Sequence, residues 1–225
     1  MKSRVQRAAI ILFLILTAPL IAQQSDKEAP KEKEDKEAAK KQVAVYTEAI
    51  IEDFETTPYT DKNISYNVTS DQEGHLAIRD QLPATASSKK YLGVKVKTRG
   101  DDVFIIKPAK DWIIDKHCKS ISFWIYGKNT RGILSFLLMD TKQQNHLINI
   151  ATIDFVGWKK ITVPITKKIA QEDAFLNQKK TMKILQLQYR TVANKNMPSQ
   201  WQYLYLDDIT ATVRERYDDK QSDEW

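Results

Sequence analysis

Cysteine is almost absent from this 225-residue chain, which contains only Cys118. An intrachain disulfide is therefore excluded, and a hydrophobic core must hold the fold together. About 170 residues between Val45 and Val213 can form such a core, because a domain of that size buries roughly 70% of the surface exposed by its unfolded chain. Cys118 begins an apolar run that ends at Tyr126, so we expect it to be buried in a strand; a covalent dimer through its thiol is the alternative.

Residues that carry out catalysis are also scarce. The three histidines, His75, His117 and His146, are isolated from one another and from carboxylates at metal-ligand spacing. Six glycines leave few places for a phosphate-binding loop, and no nucleophile-elbow, Walker or dinucleotide-binding motif occurs. The sequence therefore predicts a protein that is not an enzyme and requires no cofactor.

Only one long hydrophobic run occurs, and it lies near the amino terminus. Residues 8–22 are almost entirely apolar, and Lys2, Arg4 and Arg7 precede them. This order of charge, apolar core and small residue is typical of a secretory signal, and the run is shorter than the ~20 residues that span a bilayer. We expect residues 1–22 to be a signal peptide that is removed after Ala22, with no membrane insertion afterwards; an uncleaved anchor is the alternative.

The net charge of +6 is unevenly distributed. The signal segment carries +3, residues 25–41 are balanced, and residues 214–225 carry −2, which leaves +5 on the domain. Residues 23–44 are rich in Lys and Glu and cannot bury enough apolar surface to offset the entropy lost when a chain becomes ordered. We therefore expect a flexible linker rather than a docking peptide. The acidic tail, 214–225, is expected to be disordered; the alternative is that it pairs with a neighbouring copy. Scattered lysines do not favour nucleic acid as a partner.

From Val45 onward, apolar and polar residues alternate in short runs rich in β-branched and aromatic side chains. This pattern predicts many short strands and hence two packed sheets. We predict an all-β fold, a jelly-roll β-sandwich over residues 45–213, with one short helix or long loop near 166–182. The predicted strands are 47–54, 64–69, 75–79, 91–97, 102–107, 119–126, 132–140, 145–153, 158–163, 183–191 and 202–213.

Two carboxylate clusters lie on the first and last predicted strands. The first is Glu52-Asp-Phe-Glu55 and the second is Asp207-Asp208. First and last strands are often neighbours in a sandwich, so Asp53, Glu55 and Asp207 are candidate ligands of a structural Ca²⁺ ion, which prefers oxygen ligands. The alternative is that these acids are solvated strand ends or partners of Lys and Arg.

Aromatic and polar side chains form a second candidate site. Alternation places Trp124 and Tyr126 on one face of their strand and Gln186, Gln188 and Arg190 on one face of another. A sheet face that combines these residues would stack on a sugar ring or bury itself against another protein. Coverage by loops of the same domain is the alternative.

Several stretches together resemble a known family, the spirochaete flagellar filament outer-layer (sheath) proteins of the FlaA type. These stretches lie at 50–55, 120–127, 131–140, 150–165 and 203–209. Shorter pieces of them, Asp-Phe-Glu, Gly-Trp-Lys and Leu-Asp-Asp-Ile, are similar to galactose-binding-like jelly rolls and carbohydrate-binding modules. The sequence differs from the sheath pattern in its long linker and in the turn that begins at Asp140.

The resemblance implies a structural subunit of the periplasmic flagellar sheath, which coats the flagellin core filament beside other sheath subunits. Such a protein would reside in the periplasm and contribute to filament stiffness, curvature and motility. The alternative function is a secreted carbohydrate-binding module that uses Trp124, Tyr126, Gln186 and Arg190. A hydrolase with scattered carboxylates is the third hypothesis.

Overall fold

The computed structural model describes residues 46–66, 72–81, 88–172, 180–192 and 198–215. The expected signal peptide, the linker and most of the acidic tail lie outside these residues. The described part contains twelve strands and a 3₁₀ turn at Asp61–Asn63. In chain order the strands are β1 (Thr47–Glu52), β2 (Ile64–Tyr66), β3 (Glu73–Arg79), β4 (Tyr91–Thr98), β5 (Val103–Ile106), β6 (Trp112–Ile114), β7 (His117–Lys128), β8 (Ile133–Met139), β9 (Asn145–Thr152), β10 (Val156–Pro164), β11 (Met182–Arg190) and β12 (Gln200–Arg214).

These strands form two six-stranded sheets in which all pairs are antiparallel. Sheet A has the order β10-β7-β12-β4-β3, and β1 pairs with the second half of β12. Sheet B has the order β2-β5-β11-β8-β9, and β6 pairs with the start of β11. The predicted all-β sandwich is confirmed.

The core lies between the sheets because each strand buries one of its two faces. On β4, Leu92, Val94 and Val96 are buried. The ring of Phe123 on β7 lies 5.4 Å from that of Phe136 on β8, so the two sheets interdigitate directly. Cys118 is also buried with a free thiol, as predicted, and burial raises its pKa to about 12.

The structure adds one strand that the sequence did not predict. Strand β6 has only three residues, and its Trp112 and Ile114 are buried while Ile113 faces outward. The predicted helix or long loop near 166–182 falls partly on residues 173–179, outside the described part. Of the residues around it that the structure describes, 165–172 contain a turn but no helix, and Met182 already belongs to β11.

No helix of the described residues is both long and apolar enough to cross a membrane.

Candidate contact surfaces

The outer surface of sheet A is rich in aromatic and basic side chains. Because Leu204 and Leu206 of β12 point into the core, the alternating Tyr203 and Tyr205 point outward. The strand register places Tyr205 beside Gly93 on β4 and Tyr126 on β7. We call this surface the aromatic face; its rings are Tyr91, Trp124, Tyr126, Trp158, Trp201, Tyr203 and Tyr205, and its cations are Arg79, Lys95, Lys97, Lys128 and Lys160.

Four rings of the aromatic face form a cluster that spans the sheet. The centroid of Tyr126 lies 5.5 Å from that of Trp158 and 5.6 Å from that of Tyr205. Tyr91 contacts the same two partners at 5.7 and 5.4 Å. All four contacts have an edge-to-face geometry, and such pairs contribute about 0.5–1.5 kcal/mol each beyond the area they bury. The cluster therefore gives the aromatic face a rigid centre.

Lysines beside the cluster stack on the remaining rings. Lys95 Nζ lies 4.0 Å from the ring centroid of Trp201, and Lys128 Nζ lies 5.0 Å from that of Tyr203. Lys97 and Lys160, by contrast, form ion pairs with Glu73 and Glu48 at 2.7 and 2.9 Å. Within the described residues, no carboxylate forms an ion pair with Lys95 or Lys128, so this side of the face is electropositive.

A small cavity of about 130 Å³ opens at this electropositive side. Its lining includes Lys95, Arg79, Tyr203, Tyr205 and Gly93, and also His75, whose Nδ1 lies 2.9 Å from Asp61 Oδ2. A Cβ atom at position 93 would come within 2.8 Å of Arg79 Cγ, so the missing side chain of glycine makes room for the arginine and the cavity. The cavity is large enough for one side chain of a binding partner.

The outer surface of sheet B has a different chemistry. Leu147, Ile113, Ile133 and Val103 are 57%, 45%, 39% and 38% exposed, and strand pairing places all four on the outward side. We call this surface the aliphatic face. Between these residues lie the neutral side chains of Gln186, Gln188 and Asn149.

Charge on the aliphatic face is largely neutralised. Lys183 Nζ lies 3.0 Å from Asp111, and Arg190 Nη2 lies 2.7 Å from Asp101. Depletion of net charge around exposed aliphatic groups is typical of the centre of a protein–protein interface.

The structure does not bring the five residues of the predicted binding face together. Trp124 and Tyr126 lie on β7, in the aromatic face of sheet A, whereas Gln186, Gln188 and Arg190 lie on β11, in the aliphatic face of sheet B. The hydrophobic core separates the two groups. Alternation correctly grouped the side chains that share one face of a strand, but it carries no information about which sheet a strand joins.

The predicted calcium ligands have protein partners. Asp53 Oδ1 accepts a hydrogen bond from the backbone N–H of Glu55 at 3.1 Å, and the carboxylate of Glu55 accepts from Ser88 and from the backbone N–H groups of Lys89 and Lys90. The two backbone bonds lower the pKa of Glu55.

Asp207 is fully buried, and its Oδ1 accepts from the N–H of Asp208 at 2.9 Å. In the parts of the chain that the structure describes, no group of three or more His, Cys, Asp or Glu side chains is arranged to hold a metal ion. The calcium site stays a prediction.

Glu52 has a structural role that the sequence did not reveal. Its carboxylate is completely buried, where it accepts hydrogen bonds from Trp112 Nε1 at 3.2 Å and from the Phe54 N–H at 3.1 Å. The hydroxyls of Thr57 and Tyr59 donate at 3.1 and 3.3 Å. Because Glu52 ends β1 in sheet A and Trp112 begins β6 in sheet B, this carboxylate joins the two sheets. Burial, followed by the charge of Glu52, raises the pKa of Tyr59.

Solved structures with a similar fold include carbohydrate-binding modules. The family 11 module from Clostridium thermocellum in complex with a mixed-linked tetrasaccharide is 13% identical, with a TM-score of 0.45, and the match covers 78% of this chain and 100% of that one. The CBM22-2 xylan-binding domain of Paenibacillus barcinonensis Xyn10C is 17% identical with a TM-score of 0.40, over 74% of this chain and 98% of that one. With TM-scores below 0.5, these similarities carry no functional conclusion.

Sequence similarity is more informative. A relative from Brachyspira hyodysenteriae, described as a flagellar filament outer layer-like protein, is 30% identical over 132 residues, or 56% of this chain and 61% of the relative. This chain therefore spans less than two thirds of that curated relative. A family model described as flagellar filament outer layer protein Flaa matches residues 81–218, which is more than half of the chain. The chain belongs to the flagellar filament outer layer protein family, FlaA.

Proposed function

We propose that this chain is a structural subunit of the sheath of the periplasmic flagellar filament. In this role it coats the flagellin core, contacts other sheath subunits, and contributes to filament stiffness, curvature and motility. Membership of the outer layer family supports this role. The secretory pattern of residues 1–22 supports a periplasmic location.

The aliphatic face is the structural observation that carries the proposal. Four of the seven exposed large hydrophobic side chains among the described residues share this one surface. Fully burying a side chain of this size contributes about 1.5–3 kcal/mol, so covering the exposed parts of all four would contribute roughly 3–5 kcal/mol. A coat subunit gains this free energy when its face packs against a neighbouring protein in the filament.

The proposed role is non-catalytic. The sole thiol, Cys118, is buried and its pKa is raised to about 12, so it is protonated near neutral pH and is not a nucleophile. The side chains of both outer faces instead have the chemistry of contact surfaces.

The proposal is tested in the source organism by deleting the gene and complementing it with variants. Deletion should change filament diameter or curvature in electron micrographs. Complementation with Leu147→Glu should fail, because a carboxylate would be buried in the interface, whereas the wild-type gene should restore the filament. Ile50→Glu is a matched control, since it makes the same chemical change on sheet A at a more exposed site. Unchanged filaments in the deletion strain would contradict the proposal.

Carbohydrate binding is the second candidate function. The half-buried rings of Tyr126, Trp158 and Tyr205 on an open sheet face support it, because exposed rings stack on sugars. Glycan-array binding that is lost in Trp124→Ala or Tyr126→Ala would favour this function, and absence of glycan binding would remove it.

A further inference from the structure

We propose that the aromatic face is a docking surface for residues 216–225 of a second copy of this chain. The inference rests on the proposed function, which includes contact with other sheath subunits, and deepens it by naming the face and the segment through which two copies meet. It can fail while the chain still coats the filament.

The first argument is the excess positive charge of the aromatic face. Lys95 and Lys128 point outward from β4 and β7, and both stack on rings of β12. Described carboxylates near these lysines have other direct partners: Glu73 binds Lys97, Glu48 binds Lys160, and Asp61 binds His75. The electropositive side of the face therefore favours an anionic partner.

The second argument is the shape of the cavity over Gly93. At about 130 Å³ it is too small for a folded element but large enough for one carboxylate-bearing side chain. Lys95 and Arg79 line it together with Tyr203 and Tyr205. An extended acidic segment fits this arrangement, with one Asp or Glu in the cavity and an aromatic residue against the rings.

The third argument is the composition of residues 216–225. This segment reads Arg-Tyr-Asp-Asp-Lys-Gln-Ser-Asp-Glu-Trp, with four carboxylates, two cations and two aromatic rings. Its net charge of −2 and its paired acids and aromatics complement the lysines and rings of the aromatic face.

We assign the contact to two copies because the segment of the same copy begins after Arg214, at the end of β12 that is far from Tyr205 and the cavity. Arg214 lies nine positions after Tyr205 on β12, a distance of about 30 Å at the rise of an extended strand. The eleven residues after Arg214 reach at most ~40 Å when fully extended. To bind its own face, the segment would have to run back almost straight past the carboxylate of Glu48 on β1. A second copy has no such constraint, and the resulting contact is head-to-tail.

The test is a charge swap between the face and the segment. Residues 23–225, the chain expected after signal removal, are studied by sedimentation velocity at low salt. A face variant, Lys95→Glu/Lys128→Glu, and a segment variant, Asp218→Lys/Asp219→Lys, are studied alongside. We expect the wild type to self-associate, each variant alone to associate about tenfold more weakly, and an equimolar mixture of the two variants to recover the association. Raising the salt concentration should weaken all of these contacts.

A matched control changes the net charge equally on another part of the molecule. Lys107→Glu/Lys142→Glu alters exposed lysines next to strands of sheet B and should associate like the wild type. Circular dichroism melts confirm that every variant is folded. The proposal is overturned if the face variant associates as well as the wild type does. It is also overturned if the wild type is monomeric and a labelled peptide of residues 216–225 does not bind it.

Discussion

Replacing Glu52 with glutamine should destabilise the domain far more than a typical change of one carboxylate. One oxygen of Glu52 accepts from Trp112 Nε1 and the Tyr59 hydroxyl. The other accepts from the Phe54 N–H and the Thr57 hydroxyl and lies 3.4 Å from Lys110 Nζ, an ion pair that glutamine also removes. Glutamine has only one acceptor oxygen. Its NH₂ group must therefore face either the indole N–H or the backbone N–H, and neither of these can become an acceptor.

The magnitude follows from that geometry. A buried donor left without a partner costs about 1–3 kcal/mol, and hydrogen bonds to a charged acceptor are stronger than those to a neutral one. We expect Glu52→Gln to lower the free energy of unfolding by about 2–4 kcal/mol, which is a large part of the 5–15 kcal/mol typical of a domain. The hydroxyls of Thr57 and Tyr59 can rotate to accept from the new NH₂ group, so they add little to this cost.

Urea unfolding monitored by tryptophan fluorescence measures the difference. Glu48→Gln is the control, since its exposed ion pair with Lys160 should be worth less than about 1 kcal/mol. If Glu52→Gln is as mild as Glu48→Gln, the carboxylate does not join the two sheets in the way described above.

Two other buried groups lead to predictions. Asp140 is buried, which raises its pKa, but hydrogen bonds from His146 and from the backbone N–H groups of Gln144 and Lys142 outweigh burial and lower it overall. Because the folded-state pKa of Asp140 lies below the ordinary value near 4, its stabilisation of the fold is fully present above pH ~4 and is lost as the pH falls through the folded pKa. Asp140→Asn lacks this stabilisation at every pH, so acid unfolding followed by circular dichroism should show a smaller loss of stability in the variant than in the wild type. An identical acid transition in the two proteins would refute this. The thiol of Cys118 should not react with a thiol-labelling reagent at pH 8 unless the chain is unfolded, and stoichiometric labelling of the native protein would contradict its burial and its pKa of about 12.

Most of the fold could be predicted because one face of each strand is buried. The alternation in β7 and β12 puts Phe123 and Leu204 on the opposite strand face from Tyr126 and Tyr203, and the structure buries the first two and leaves the last two partly exposed. Strand β6 was missed because three residues are too few for a period-two pattern to be recognised.

The candidate site was harder to predict because it depends on which strands become neighbours. The separation of Trp124 from Gln186 follows from sheet membership, which is decided by long-range pairing. Glu52 was missed for a local reason: the pairing register with β12 shifts between Ile50 and Glu52. Glu48 and Ile50 are exposed, so strict alternation would leave Glu52 exposed as well. The register shift instead accompanies a turn of the Glu52 side chain into the core.

The central claim, that this chain is a structural component of a filament coat, is tested most directly by quantitative mass spectrometry of purified periplasmic filaments. We predict that the chain co-purifies with flagellin in an amount comparable to that of other coat proteins. Its absence from the filaments, in cells that export it in normal amounts, would contradict the account.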